Sequence, residues 1–161
     1  MTQSNYTITE SPVAATPLAG VRAIVPAGRV GAVFRTYLDQ VYAAARSNDI
    51  ALDGHNVFVY YPRADGAVSV DFCVGVLRPF GPVGNVVALE TPAGPAATTT
   101  HWGDYAALGG AHAAIRAWCA ANQRTLAGPS WEVYGHWHDV PAKVRTDVYY
   151  LLKAIAGVPL R

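Results

Sequence analysis

A carboxylate and a phenol stand two residues apart in the segment GPSWEVY, residues 128–134. The Gly-Pro pair indicates a turn, and the residues after it alternate as they do in a β-strand. Alternation places Glu132 and Tyr134 on one face of that strand and Trp131 on the other. No lysine or arginine lies near Glu132 in the chain. Because a half-buried carboxylate without a cation is costly, the pattern indicates a distant partner, protonation, or a site for a ligand.

An earlier segment of the chain repeats this pattern. Gly54 aligns with Gly128, and the same offset carries residues of the first half onto residues of the second. Internal repetition is a stronger indication of fold than any single motif. The aligned pairs include Val41 with Ile115, Phe58 with Glu132, Val59 with Val133 and Tyr60 with Tyr134.

The elements around these segments also occur twice. Apolar residues spaced by three and four predict amphipathic helices over residues 29–46 and 105–122. Each helix is preceded by an extended segment and followed by two strands. We therefore predict an α+β fold built from duplicated βαββ units with pseudo-twofold symmetry. The single domain, residues 1–161, would comprise two repeats, about 1–80 and 85–161, with the helices on one side and a central cleft between the halves.

The alternation of apolar residues predicts which sheet face the helices cover. We assign to the helices the more apolar face, and to the cleft the face that carries rings and a few acids. Rings provide stacking and cation–π contacts of roughly 0.5–2 kcal/mol each. A carboxylate about 4 Å from a cation contributes roughly 4 kcal/mol at an effective dielectric constant near 20. The pattern suits a flat, apolar or cationic ligand, although the rings could also simply pack the halves together. The covered face would carry Val57, Val59, Val70, Phe72, Val74, Trp131, Val133, Val148 and Tyr150, and the cleft face Phe58, Tyr60, Asp71, Cys73, Glu132, Tyr134, Asp147 and Tyr149.

Composition excludes several functions. The 161 residues carry a net charge of +1 and no basic cluster, so we expect no nucleic-acid binding by this chain alone. No apolar run is long enough to span a membrane, and the polar first ten residues do not resemble a secretory signal, which predicts a cytoplasmic protein. Cys73 and Cys119 are expected to be free buried thiols rather than a disulfide.

Two histidines have a spacing that is found in zinc sites. His136 and His138 would project from the same side of a strand, as zinc ligands can, but no third ligand is assured. We therefore predict no metal and no cofactor. His55, His101 and His112 are interpreted as turn, strand-end and helix-surface residues, and His101 is retained as a minor binding candidate near the cleft mouth.

Four segments in the second half of the chain resemble the GyrI-like small-molecule-binding domain, a family similar to the effector-binding domains of multidrug-sensing bacterial regulators. The segments are Pro92–Gly94, His101–Tyr105, Gly128–Tyr134 and Arg145–Tyr149. The likeness is clearest after residue 85. It departs from the family pattern at Asp147, where Glu is commoner, and in Tyr150–Leu152, which lacks a proline often found in the last strand.

This resemblance implies a protein that binds lipophilic, often cationic aromatic compounds, and we expect this chain to act as a stand-alone binding or sequestering protein. It places the ligand-facing acid at Glu132 and cleft aromatics at Trp102, Tyr105, Tyr134 and Tyr149. Some family members are hydrolases that open strained cyclopropane rings of aromatic antibiotics. The alternative is therefore such a hydrolase, with Glu132 as general base and Tyr149 as hydrogen-bond donor. The full set of predicted ligand-binding residues is Glu132, Tyr149, Tyr134, Trp102, Tyr105, Phe58, Tyr60 and His101, and we expect a monomer or weak dimer.

Overall fold

The structure, a computed structural model, describes residues 6–155. Within this range the chain forms one antiparallel sheet and two long helices, which confirms the predicted α+β class. The strands are β1 (Thr9–Val13), β2 (Pro17–Val25), β3 (Leu52–Pro62), β4 (Val68–Val76), β5 (Val87–Glu90), β6 (Gly94–Trp102), β7 (Leu126–Tyr134) and β8 (Arg145–Leu152), and the helices are α1 (Val30–Asn48) and α2 (Gly109–Ala121). Short 3-10 turns occupy Tyr105–Ala107 and Pro141–Lys143.

The order of the strands in the sheet is the one expected from the predicted duplication. Its eight strands run β1-β6-β8-β7-β3-β4-β2-β5. Exchanging the unit β2-α1-β3-β4 with the unit β6-α2-β7-β8 reverses the order of the six strands in these units, as a pseudo-twofold axis requires. The seam between the units is the antiparallel pair β3–β7, in which Phe58 lies opposite Glu132. The two halves of the repeat therefore form one continuous sheet.

The aligned glycines Gly54 and Gly128 lie within strands rather than at turns. Their φ angles of +85° and +121° are unfavourable for residues with a Cβ atom. The pairing register shifts beside each glycine, between Leu52 and Asn56 and between Leu126 and Ser130. Both are irregularities of the bulge type. Strand β7 therefore begins before the Gly-Pro pair that was interpreted as a turn.

Each helix packs its apolar stripe on the same side of the sheet. Buried Leu38, Val41 and Ala44 of α1 belong to a core cluster that includes Phe58 and Phe72. A second cluster joins α2 to β6 and β8. The helix predicted from residue 105 begins instead at Gly109, after the 3-10 turn, so the pair Gly109-Gly110 lies in its first turn rather than in its interior.

The predicted assignment of sheet faces is wrong for β3 and β7. Residues opposite each other in neighbouring strands share a face. Phe58 lies between Phe72 and Glu132, which places Glu132 on the helix side. Val59 lies between Asp71 and Trp131, on the far side. The more apolar residues of β3 and β7 did not indicate the helix side, because the far face of the sheet is buried too. Its buried cluster comprises Leu18, Val57, Val59, Cys73, Ala96 and Trp131.

Both cysteines are buried and free, as predicted. Burial raises the pKa of the Cys73 thiol, which is therefore protonated at neutral pH. Neither helix in residues 6–155 has the length and apolarity of a membrane span.

The far face contains a buried acid with a specific partner. Asp71 is fully buried, and the Arg22 guanidinium donates to both of its carboxylate oxygens, from Nε at 2.6 Å and from a terminal nitrogen at 2.9 Å. The equivalent acid of the second unit, Asp147, is more exposed. Thr100, which lies opposite it as Arg22 lies opposite Asp71, donates a hydrogen bond to it, and its arginine partner, Arg145, lies on the same strand.

We predict that Arg22→Ala lowers the free energy of unfolding by roughly 2 kcal/mol, because it leaves a buried carboxylate unpaired while the arginine itself is half exposed. Arg145→Ala, the control at a more exposed Arg–Asp pair, should cost less than about 1 kcal/mol. Urea denaturation of both variants measures the difference. Equal costs would contradict this account of the Arg22–Asp71 pair.

Candidate ligand-binding site

A cavity of about 410 Å³ lies over the seam between β3 and β7. Its sides are formed by the first turns of α1 and by the turn that precedes α2. The apolar residues Val30, Phe34 and Leu38 contribute from α1, and Leu108 contributes from the opposite side. The rings on its walls are those of Phe34, Phe58, Tyr60, Tyr105, Tyr134 and Trp137.

Glu132 provides the acidic group of this cavity. Its side chain is only 6% exposed. One carboxylate oxygen, Oε1, accepts hydrogen bonds from the phenols of Tyr60 at 2.6 Å and Tyr134 at 2.8 Å. The other, Oε2, lies 2.7 Å from Nε2 of His112 on α2. Donors from β3, β7 and α2 therefore converge on a single carboxylate.

These contacts determine the charge of Glu132. Burial by itself would raise the pKa of this carboxyl group, but the hydrogen bonds from His112, Tyr60 and Tyr134 outweigh burial and lower the pKa below its ordinary value. Burial, together with the neighbouring charge of Glu132, raises the pKa of both Tyr60 and Tyr134, so both phenols stay protonated. Within residues 6–155 no lysine or arginine pairs with Glu132. The cavity thus holds an ionised acid with only phenol and imidazole partners.

His112 is the site residue that the sequence interpretation missed. It was placed on the helix surface, yet its ring is largely covered and bonds to Glu132. A signal was present, because His112 follows Leu108 by four residues and precedes Ile115 by three, which is the spacing of the buried stripe. Its other nitrogen, Nδ1, lies 2.7 Å from the Tyr150 hydroxyl, and that hydroxyl oxygen accepts a hydrogen bond from Arg116 at 3.0 Å.

Aromatic side chains extend from the floor of the cavity to its mouth. Tyr134 packs edge-on against Phe58, with ring centroids 5.1 Å apart, and against Tyr105 at 5.5 Å. Tyr105 is 43% exposed and Trp137 is 71% exposed, so these two rings line the opening. A planar ligand could pass between them and reach Glu132 with ring faces beside it.

Tyr149 does not share this cavity. It lies opposite Trp131 in the β7–β8 pair, on the far face of the sheet, and its ring stacks on the indole at 5.1 Å with a 4° angle between the planes. The predicted placement of Tyr149 and Asp147 beside Glu132 is therefore wrong. Side chains alternate along β7, so the partner of Trp131 cannot face the same side as Glu132.

Two other predicted site residues lie away from the cavity walls. Trp102, at the end of β6, is 57% exposed, and the Arg145 guanidinium lies over its ring. His101 is buried, and its nitrogens contact the Tyr6 hydroxyl at 2.7 Å and the Asp104 carbonyl at 2.9 Å. By contrast, Phe58, Tyr60, Tyr105, Tyr134 and Glu132 all line the cavity. Their role in ligand binding stays a prediction.

The histidines near the mouth do not form a chelating set. His136 lines the cavity and packs against His55, with ring centroids 4.3 Å apart. Nδ1 of His138 instead accepts a hydrogen bond from the Val140 amide at 3.0 Å. In the part of the chain that the structure describes, no group of three or more His, Cys, Asp or Glu side chains could hold a metal ion.

A larger cavity, of about 700 Å³, lies beside β2 and the edge strand β5. Its charged side chains are Arg22, Arg78 and Glu90. Arg22 is already engaged by Asp71, and Arg78 and Glu90 are solvent exposed. The smaller cavity over the seam is therefore the better candidate site, because it contains the buried carboxylate of Glu132.

Comparison with known proteins agrees with this geometry. The family model of the GyrI-like small molecule binding domain matches residues 5–153. The chain belongs to this family. Its fold is similar to that of the EcmrR C-terminal domain, at 19% identity and a TM-score of 0.79, over 94% of this chain and 99% of that one. No curated protein matches the sequence.

Two further solved structures share the GyrI-like fold. SAV2435 bound to tetraphenylphosphonium is 15% identical, with a TM-score of 0.68, over 91% of this chain and 94% of that one. A hydrolase from Listeria innocua is 11% identical, with a TM-score of 0.58, over 91% of both chains. At these identities the likeness establishes the fold.

We predict a pH dependence of stability that originates at Glu132. Because its folded-state pKa lies below the unfolded value near 4.3, its contribution is fully present above that pH and is lost as pH falls through the folded value. The difference in unfolding free energy between the wild type and Glu132→Gln should therefore be largest above about pH 5 and shrink in acid. Urea titrations at several pH values measure it, and a difference that is constant with pH would contradict the assignment.

Proposed function

We propose that this protein binds lipophilic aromatic cations in the cavity over the β3–β7 seam, with Glu132 facing the positive charge. The observation that carries the proposal is the ionised, buried carboxylate of Glu132, which phenols and an imidazole hold in an aromatic cavity. Its hydrogen bonds make the charge tolerable, and while His112 is neutral they leave it uncompensated. A ligand cation would supply the missing opposite charge.

The surrounding rings favour the same class of ligand. A cation near the face of a Tyr, Phe or Trp ring gains roughly 0.5–2 kcal/mol, more where water is excluded. Phe58, Tyr105, Tyr134 and Trp137 present such faces or edges around one opening. The cavity also contains apolar helix residues that would cover the uncharged parts of the ligand. Selectivity would then depend on charge and aromatic surface rather than on a fixed set of hydrogen bonds.

The family supports this proposal at the level of ligand class. GyrI-like domains bind small molecules, and SAV2435, which has the same fold, is seen with tetraphenylphosphonium, a permanent aromatic cation. We infer that the present chain binds or sequesters such compounds in the cytoplasm, in keeping with multidrug binding.

A hydrolase is the second candidate, since a hydrolase from Listeria innocua shares the fold and Glu132 is ionised as a general base must be. Its predicted donor, Tyr149, lies on the far face. Tyr60 and Tyr134 both donate to Glu132, which leaves neither phenol free for a substrate oxygen. Binding therefore ranks above hydrolysis.

Titration with tetraphenylphosphonium tests the proposal, since the probe carries a charge that does not change with pH. We expect Glu132→Gln to weaken binding at least about 10-fold, or roughly 1.4 kcal/mol, because the amide cannot offset the cation. Glu10→Gln is the matched control, because Glu10 lies on β1 and pairs with Arg124. Equal affinities of the two variants, measured by calorimetry, would contradict the proposal.

A turnover assay distinguishes a binding protein from a hydrolase. If the protein only binds, an electrophilic cyclopropane-bearing aromatic compound should be recovered unchanged after incubation with the wild type. Hydrolysis that is lost in Glu132→Gln would favour the enzyme instead. Tyr149→Phe should leave either activity unchanged, because its ring stacks on Trp131 away from the cavity.

A further inference from the structure

Four side chains form a hydrogen-bonded line from the cavity to the protein surface. Glu132 lies at the cavity, His112 and Tyr150 follow, and Arg116 lies at the solvent-exposed end. Each neighbouring pair is 2.7–3.0 Å apart. None of the three groups beyond Glu132 lines the cavity, so the line is not needed to shape the binding surface.

The ends of the line determine where its protons lie. An ionised carboxylate only accepts hydrogen bonds, so Nε2 of His112 carries the hydrogen that faces Glu132. A guanidinium only donates, so the Tyr150 oxygen accepts from Arg116. The Tyr150 hydroxyl then donates its own hydrogen to Nδ1 of His112. With a neutral imidazole, every group in the line has a suitable partner.

A protonated His112 fits less well. Both ring nitrogens would then donate, and Nδ1–H would point at the same phenol oxygen that Arg116 already occupies. The phenol hydrogen would have to turn elsewhere, and two cations would share one oxygen. Like charges in such proximity disfavour each other. Arg116, acting through Tyr150, therefore opposes the protonated form of His112, which the adjacent Glu132 carboxylate favours.

The charge of the cavity depends on the protonation state of His112. With neutral His112 the Glu132 site carries one negative charge, whereas with protonated His112 the pair has no net charge. We propose that His112 acts as a proton-controlled switch of cation affinity, and that Arg116, a positioning residue acting through Tyr150, sets the pH at which the switch operates. This inference rests on the proposed function, since it concerns the affinity for cations at the same cavity.

Other ionisable groups around the pair must be separated from this effect. Tyr60 on β3, Tyr134 on β7 and Tyr150 on β8 all have raised pKa values, caused first by burial, and do not titrate below neutral pH. His136 lines the cavity mouth, and His55 packs against it. These two imidazoles are ionisable too and require their own control.

The binding test compares tetraphenylphosphonium with the uncharged triphenylphosphine oxide between pH 8.5 and pH 5.5. By linkage, a cation and a proton that oppose each other must weaken each other's binding equally. We expect the affinity for the cation to fall roughly 10-fold over this range, within the usual extent of such coupling. The neutral compound should not show this fall. Calorimetry in buffers of different ionisation enthalpy should also detect proton release on cation binding.

Two glutamine variants assign the effect. His112→Gln keeps an N–H donor for Glu132 but cannot gain a charge, so cation affinity should lose its pH dependence. His136→Gln, the matched control at the mouth, should retain it. If His136→Gln removes the dependence and His112→Gln does not, the switch is not His112.

A ligand-free measurement tests the role of Arg116. The His112 ring carbon, followed by NMR, should titrate at a higher pH in Arg116→Gln than in the wild type, and the pH dependence of cation binding should move in parallel. An unchanged titration would overturn the role of Arg116. Cation binding that ignores pH would overturn this inference alone, whereas no tetraphenylphosphonium binding at any pH would overturn the proposed function as well.

Discussion

The site depends on the cost of burying one carboxylate. An ionised acid in a low-dielectric setting is tolerated only when its lone pairs are occupied by donors. For Glu132 these donors come from β3, β7 and α2, which belong to different units of the repeat. The second unit supplies Tyr134 and His112, but the third donor, Tyr60, reaches the acid only across the β3–β7 seam. The acid thus links ligand binding to the association of the two halves.

The fold is symmetric, but the site is not. The repeat that aligns Phe58 with Glu132 also aligns Leu38 with His112. The first unit therefore has an apolar pair in its core cluster where the second unit has a hydrogen-bonded acid and imidazole. The equivalent phenols Tyr60 and Tyr134, by contrast, both donate to the one acid. The duplication accounts for the two equivalent phenols. The differences between the units at the positions of Glu132 and His112 account for the single charged group between those phenols.

Much of this arrangement could be predicted from the sequence. Repetition indicated the two units, and strand alternation placed Glu132 beside Tyr134. The face of β3 and β7 could not be predicted in the same way, because the sheet is apolar and buried on both sides. Tyr149 was misplaced for that reason. His112 was missed because one polar residue at a stripe position of a helix looks like a surface residue until the facing strand is known.

The position of the cavity follows from how the helices cover the sheet. Helix α1 packs mainly on β2 and β4, and α2 packs on β6 and β8, so each helix rests on the outer strands of its own unit. The helix-side face of the central strands is left between them. On the far side, the same central strands are closed by the apolar cluster that contains Trp131 and by the stack of its indole on Tyr149. One face of the seam therefore supplies stability while the other stays open to a ligand, and alternation along β7 assigns Trp131 to the first task and Glu132 to the second.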